Sequence, residues 1–179
     1  MDLYATLVIV TGTLIGCAFG LSWFAGSDAP YVPTKMEKAI KLLKMLNLKE
    51  GQKFYELGSG DGRVVIEAAK LGLNALGIEQ SWMRVIWSKF QAYQQKLPNA
   101  KFKHGNIINE DLSRADIVYI YLLPKGVSKL SLKLKRELKK GSLIITQTFH
   151  FKDWVPIKKI DLPGKDFING GGNFWIYRV

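Results

Sequence analysis

Residues 56–62 read Glu-Leu-Gly-Ser-Gly-Asp-Gly, between a short apolar stretch at 53–57 and a helical run at 63–71. Three alternating glycines force a tight strand-to-helix turn. One permits the turn, one lets a ligand approach the backbone, and one lets helix and strand pack closely. The helix N-terminus behind the turn offers free N–H groups and the positive end of a dipole. A phosphate loop of the Walker kind would end in Lys-Ser/Thr, whereas this one ends Gly62-Arg63-Val64. A dinucleotide fingerprint would need a small third residue at position 63, and Arg63 fails that pattern. The spacing acid-x-G-x-G-x-G suits an amino-acid-like ligand, with Glu56 available to its ammonium group. Glu79 ends the next apolar stretch, where a carboxylate can accept bonds from two ribose hydroxyls.

The rest of the chain alternates short apolar runs with helical ones. Strands are expected at 53–57, 75–79, 101–104, 116–122, 143–149, 155–160 and 174–177. Helices are expected at 35–47, 63–71, 81–96 and 124–140. The first is amphipathic, with Met36, Ala39, Ile40, Leu43 and Leu46 on one face, and Thr34-Lys-Met-Glu37 reads as a capping box. Asp116–Leu122 is continuous apolar sequence, as in a central strand buried on both faces. Glu110 and Asp111 read as helix-start acids. This order predicts a doubly wound α/β domain with a mostly parallel, seven-stranded sheet.

Residues 3–27 carry no charge. As a helix they would extend roughly 37 Å, enough to cross a hydrocarbon core. Gly12, Gly16 and Gly20 fall at GxxxG spacing, and Trp23 and Phe24 suit an interface. The first cations are Lys35, Lys38, Lys41 and Lys44, which places the bulk of the chain on the cytoplasmic side of a single-pass anchor. A buried core helix and a cleaved signal peptide are the rivals, the latter lacking a basic first region. The expected organisation is an anchor over 1–27, a linker and basic amphipathic helix over 28–50, and a domain over 51–179. The net charge is +11, and residues 124–140 alone hold seven cations. That face is either solvated, drawn to anionic lipid, or an RNA contact. With one cysteine, Cys17, and two histidines, His104 and His150, no disulfide framework and no metal site is expected.

The loop and the acid after the second strand resemble motif I and the following acid of class I S-adenosylmethionine-dependent methyltransferases, a Rossmann-like fold. PYVPT at 30–34, ELGSGDGRVVIEAAK, Trp82, ADIVYIYLLP and Trp154-Val-Pro156 resemble one narrower group. This is the membrane-anchored protein-lysine methyltransferases of the type that acts on the ATP synthase c-ring protein and the adenine nucleotide translocase. The resemblance implies S-adenosyl-L-methionine as cofactor, held by Glu56, Leu57, Gly58, Ser59, Gly60, Gly62, Glu79, Gln80 and Asn106. It implies a protein substrate, with a lipid bilayer as the other partner and nucleic acid disfavoured. Two departures stand out. Gln80-Ser81 replaces an Asn-Pro pair, and Asn106 stands where a carboxylate commonly faces the adenine amino group.

Methyl transfer needs alignment, exclusion of water and a neutral amine. The acceptor should enter beside the fourth strand's carboxyl end, at Tyr121, Leu123 and Pro124, with Tyr31 folding over as a lid. Tyr-Leu-Leu-Pro is not the Asp/Asn-Pro-Pro-aromatic motif of base-methylating enzymes. Competing expectations are an RNA or small-molecule methyltransferase, and a cofactor-binding membrane adaptor without activity.

Overall fold

The computed structural model describes residues 2–24, 34–162 and 172–179, and the side chains of residues 19 and 22–24 lie outside that description. Tyr31, Pro33, Gly170 and Gly171 therefore fall outside the described residues, as do the side chains of Trp23 and Phe24. The elements are α1 (Leu3–Phe24), α2 (Met36–Met45), β1 (Lys53–Leu57), α3 (Arg63–Lys70), β2 (Asn74–Glu79) and α4 (Trp82–Gln94). They continue with β3 (Ala100–His104), β4 (Ile117–Ile120), α5 (Pro124–Glu137), β5 (Leu143–Gln147), β6 (Lys158–Asp161) and β7 (Asn173–Arg178).

The strands form one seven-stranded sheet in the order β3-β2-β1-β4-β5-β7-β6. The β3, β2, β1, β4 and β5 pairings are parallel, and only β7 runs against its neighbours. Strand order reverses between β1 and β4, so a crevice opens at their carboxyl ends, where ligands of such sheets bind. The expected class I methyltransferase sheet is the one observed.

β4 explains why the sheet is covered on both sides. Ile117 and Tyr119 lie in one core cluster with Ala39, Leu43, Val65 and Val85 of α2, α3 and α4. Val118 and Ile120 lie in the other, with Val127, Leu130 and Leu134 of α5. A strand buried on both faces cannot alternate apolar and polar residues, so it reads as a continuous run.

Several local expectations give way to longer-range contacts. Thr34 does not cap α2; Lys35 takes the N-cap position without a side-chain capping bond, and the Thr34 hydroxyl donates to Gln147 Oε1 at 3.5 Å. Leu42 rather than Ile40 completes the buried face of α2. The 124–140 helix stops at Glu137, because Leu138 turns extended and buries its side chain. Glu110 and Asp111 start no helix. Glu110 pairs with Lys103 at 2.7 Å, and Asp111 accepts the Ser113 N–H at 2.9 Å in a turn. The sixth strand begins at Lys158 rather than 155, and Val155 is exposed.

α1 forms where expected and displays Leu7, Val8, Ile9, Val10, Leu14 and Ile15 around its circumference. It packs against α4. Among the described residues, no helix is long and apolar enough to cross a membrane.

Candidate active site

Gly58, Gly60 and Gly62 all take positive φ, at 82°, 55° and 81°. This left-handed geometry is what allows the chain to leave β1 and enter α3 within five residues. Gly62 is also required by packing: a Cβ there would lie 2.6 Å from both Phe102 Cε1 and Ser88 Oγ. The loop is held to β2 from two sides. The Gly58 and Ser59 N–H groups donate to the Ile78 carbonyl at 2.9 and 3.0 Å. Gly60 N–H donates to Glu79 Oε2 at 2.9 Å.

Glu79 is therefore a fastening of the loop as well as a strand-end acid. Its Oε1 accepts Ser81 N–H at 2.9 Å and lies 3.5 Å from Arg84 Nη1, with both side chains buried. Each carboxylate oxygen has two lone pairs, so acceptor capacity for hydroxyl groups remains. Leu57 and Ser59 are buried beside it. Ser59 tucks against Gly77, where a Cβ would come within 2.6 Å of its hydroxyl.

Glu56 is the second buried acid of the site. It is 4% exposed, and its Oε2 has no hydrogen-bond partner among the described residues. Burial, then the Asp61 carboxylate, push its carboxyl well above the usual range, against a bond from the Val65 N–H. Its register partner on β4 is Tyr119, also fully buried. Tyr119 donates to Gln147 Oε1 at the end of β5, the same oxygen that receives Thr34. Burial first, and then the charge of Glu56, raise the Tyr119 hydroxyl well above its ordinary value. Arg63, bound to Asp61 by its Nε at 2.8 Å, reaches the Thr34 carbonyl at 3.4 Å. A buried polar group thus joins the loop, β4, β5 and the residue where the chain enters α2. Tyr119, Gln147 and Thr34 were not among the sequence candidates. The available signal was parity: Tyr119 shares a strand face with Tyr121 and sits level with Glu56.

The remaining candidates lie along the same carboxyl edge. Tyr121 is half-buried past the end of β4, while Leu123 and Pro124 are exposed at the start of α5. Between them Leu122 covers the loop; a Cβ on Gly58 would lie 3.0 Å from its Cδ2. Gln80 and Asn106 are exposed at the ends of β2 and β3. Asn106 Oδ1 accepts the Ile108 N–H at 2.9 Å. His104 Nε2 lies 2.9 Å from the Gln80 carbonyl, which can only accept, so that nitrogen carries the proton. Trp82 stacks on the His104 ring at 4.0 Å. Among the described residues, no group of His, Cys, Asp and Glu side chains can hold a metal.

Comparison with known proteins agrees with this geometry. A solved RNA methyltransferase from Salinibacter ruber, in complex with S-adenosyl-L-homocysteine, superposes with a TM-score of 0.74. It is 29% identical, over 82% of this chain and 93% of that one. The human lysine N-methyltransferase named for the ATP synthase C-subunit is 32% identical over 83% of this chain and 60% of its own length. The Xenopus laevis enzyme of the same name is 35% identical over 71% of this chain and 56% of its own. The chain thus spans a little over half the length of these relatives. A protein-lysine N-methyltransferase of Saccharolobus islandicus is 31% identical over 71% of this chain and 81% of its own. The family described as the ANTKMT methyltransferase domain matches residues 56–158, and the chain belongs to it.

Proposed function

We propose that this chain is an S-adenosylmethionine-dependent methyltransferase that modifies a lysine side chain of a membrane protein. The observation that carries the cofactor reading is the buried, unpartnered Glu56 oxygen beside a positive-φ glycine loop at the strand switch point. A buried carboxyl oxygen without a donor is costly unless a ligand supplies one. The methionyl ammonium group is such a donor. The residues present fit the rest of the cofactor: Gly58, Ser59 and Gly60 offer close backbone, Glu79 the ribose acceptor, Leu57 an apolar wall, and Gln80 and Asn106 the adenine edge. The bound cofactor supplies an activated sulfonium methyl group.

The chain's own work is placement and desolvation. Tyr121, Leu123 and Pro124 line the acceptor side with apolar and aromatic surface and no acid. Such surface disfavours an ammonium ion and lowers the acceptor's pKa, which favours the neutral amine that attacks. Tyr31 is proposed as a lid over the cofactor. Glu56, Gly58, Gly60 and Glu79 would hold the cofactor that supplies the methyl group, and the acceptor's ammonium proton would pass to solvent before the amine attacks. Relatives named for the ATP synthase C-subunit and for the adenine nucleotide translocase, both lysine N-methyltransferases, support the choice of acceptor.

Attachment to a bilayer through α1, with the domain on the cytoplasmic side, is part of the same proposal, although the described helix is not long and apolar enough to cross a membrane. It rests on a helix without charge that packs against α4 and leaves Leu7, Val8, Ile9, Val10, Leu14 and Ile15 exposed. Carbonate extraction and protease accessibility test it.

RNA is the second reading, because the Salinibacter ruber relative is an RNA methyltransferase. The basic helix α5 favours it little. Lys133 and Arg136 pair with Glu137, Lys139 pairs with Asp116, and Lys135 sits over Trp154 at 5.1 Å. Transfer of labelled methyl groups to membranes lacking the endogenous enzyme decides. Label lost to protease supports lysine; label lost to RNase overturns it.

A further inference from the structure

α4 presents an unusual outer face. Trp82, Ile86, Trp87, Phe90 and Tyr93 follow one another at near-helical spacing and are between 46% and 83% exposed. Amphipathic helices of soluble domains turn such residues inward, and α4 already buries a separate stripe of Val85, Ser88 and Ala92. Apart from Trp82, which stacks on His104, the outer stripe is surplus to folding. A contiguous exposed aromatic patch marks a contact surface.

We infer that this face of α4 lies on the headgroup region of an anionic bilayer. Three observations select lipid. First, the composition is two Trp, one Tyr, one Phe and one Ile, the amphipathic rings that settle at a membrane–water boundary. Second, α4 contains no acid, and Lys89 on it, Lys96 just past its end and Lys101 on β3 stand exposed, without an ion-pair partner among the described residues. Basic residues beside apolar rings complement anionic headgroups. Third, uncharged α1 packs against α4, so α4 is the domain surface adjoining whatever lipid α1 enters. A shallow groove of about 410 Å³ continues the face, with Tyr93, Leu97, Phe102, Lys89 and Lys101 among its lining residues. That arrangement suits an acyl chain below a phosphate.

The consequence is orientation. Trp82 starts α4 just beyond Glu79, so seating α4 on the bilayer brings the carboxyl edge of the sheet beside the headgroups. A lysine near the surface of a membrane protein is then within reach, and a flexible tether alone would not ensure that. The inference rests on the proposed membrane attachment, not on the identity of the acceptor.

The test uses the full chain with Cys17→Ser and one new cysteine carrying a polarity-sensitive fluorophore. Phe90→Cys reports on α4, and Lys129→Cys on α5 is the control. With phosphatidylcholine–phosphatidylglycerol vesicles, the label at 90 should shift to the blue and be shielded several-fold from an aqueous quencher. The label at 129 should change little. Lys89→Glu with Lys101→Glu should reduce the shielding at 90 while cofactor affinity stays unchanged. If the chain sediments with vesicles yet both labels are quenched alike, the assignment of α4 is wrong and α1 attachment stands. If the chain stays in the supernatant, both fall. A blue shift at 90 that grows with protein concentration, without lipid, would overturn the inference in favour of a second copy.

Discussion

The two halves of the carboxyl edge are built on opposite principles. On the β1–β2 side the loop is stitched by directed bonds: Gly58, Ser59 and Gly60 donate to β2, and Glu79 binds Gly60, Ser81 and Arg84. On the β4–α5 side Tyr121 and Leu122 are held by packing, while Leu123 and Pro124 are exposed. A constant ligand can be met by fixed backbone geometry. An acceptor that is another macromolecule needs a surface that excludes water and yields to its shape. The first half should fail abruptly when altered and the second gradually.

The largest effect is expected at Glu79. Removing it deletes the acceptor of the Gly60 and Ser81 N–H groups and takes an ion-pair partner from an arginine that is only 3% exposed. Breaking a buried pair on one side costs about 3–5 kcal/mol. Glu79→Ala should therefore lower the thermal midpoint as well as cofactor affinity. Glu79→Gln keeps one acceptor oxygen and should lose less stability. Thermal melts of the apo proteins settle this: an unchanged midpoint in Glu79→Ala would mean that the loop is not fastened through this residue.

Gly60→Val comes next. Its φ of 55° costs a β-branched residue about 1–2 kcal/mol, and its side chain enters the space given to the ligand. Calorimetry should detect no cofactor binding while the circular dichroism of the folded chain persists. Retained binding would move the cofactor away from this loop.

Much of this was legible from sequence, for a physical reason. The β1–loop–α3 unit is local, and its constraint is steric, so glycine spacing and one acid at the next strand end reveal it. Strand positions were legible because parallel strands buried on both faces are continuous apolar runs, as at 117–120. What escaped notice was long in sequence separation. Thr34 reads as a helix cap, yet it bonds to Gln147, and only the sheet order brings the two together. Arg84 falls inside the expected 81–96 helix with nothing in the sequence to single it out, yet it is buried against Glu79. Tyr119 reads as core, and it is core, but its hydroxyl is tied to the polar group around Glu56. The exposed α4 stripe escaped because its residue types are those of a buried helix face.

Glu56→Gln tests the bonded half by its charge. A carboxyl raised in the folded chain keeps a proton over a range where the unfolded chain has lost it. Stability therefore falls as pH rises from the unfolded value, 4.5, through the higher folded value. The amide has no such proton to lose. In the apo state Glu56→Gln should flatten that fall and stabilise the chain above it. Cofactor affinity should drop about tenfold, since a bond to a charged group is replaced by a neutral one. Denaturant melts across pH, paired with titration, check both signs. A variant that loses stability on the alkaline side contradicts the burial assigned to Glu56.

The smallest effect is expected in the packed half, and it separates the two tyrosines of β4 and its extension. Tyr119→Phe deletes a buried bond to Gln147 and should cost about 1 kcal/mol of stability, with a modest loss of cofactor affinity because Glu56 adjoins it. Tyr121 is half-buried, beside the proposed acceptor approach. If its hydroxyl orients the incoming amine, Tyr121→Phe leaves stability and cofactor affinity in place and lowers single-turnover methylation several-fold. The rate should rise with pH in both proteins until the acceptor amine is neutral, because lysine in water titrates near about 10.4 and desolvation brings that value down. Tyr121→Phe should lower the plateau without moving the midpoint, since the acceptor's pKa is set by the apolar lining and not by the hydroxyl. Equal losses of affinity and turnover would place Tyr121 on the cofactor. No loss of either would return it to packing, and the acceptor side would then rest on Leu123 and Pro124 alone.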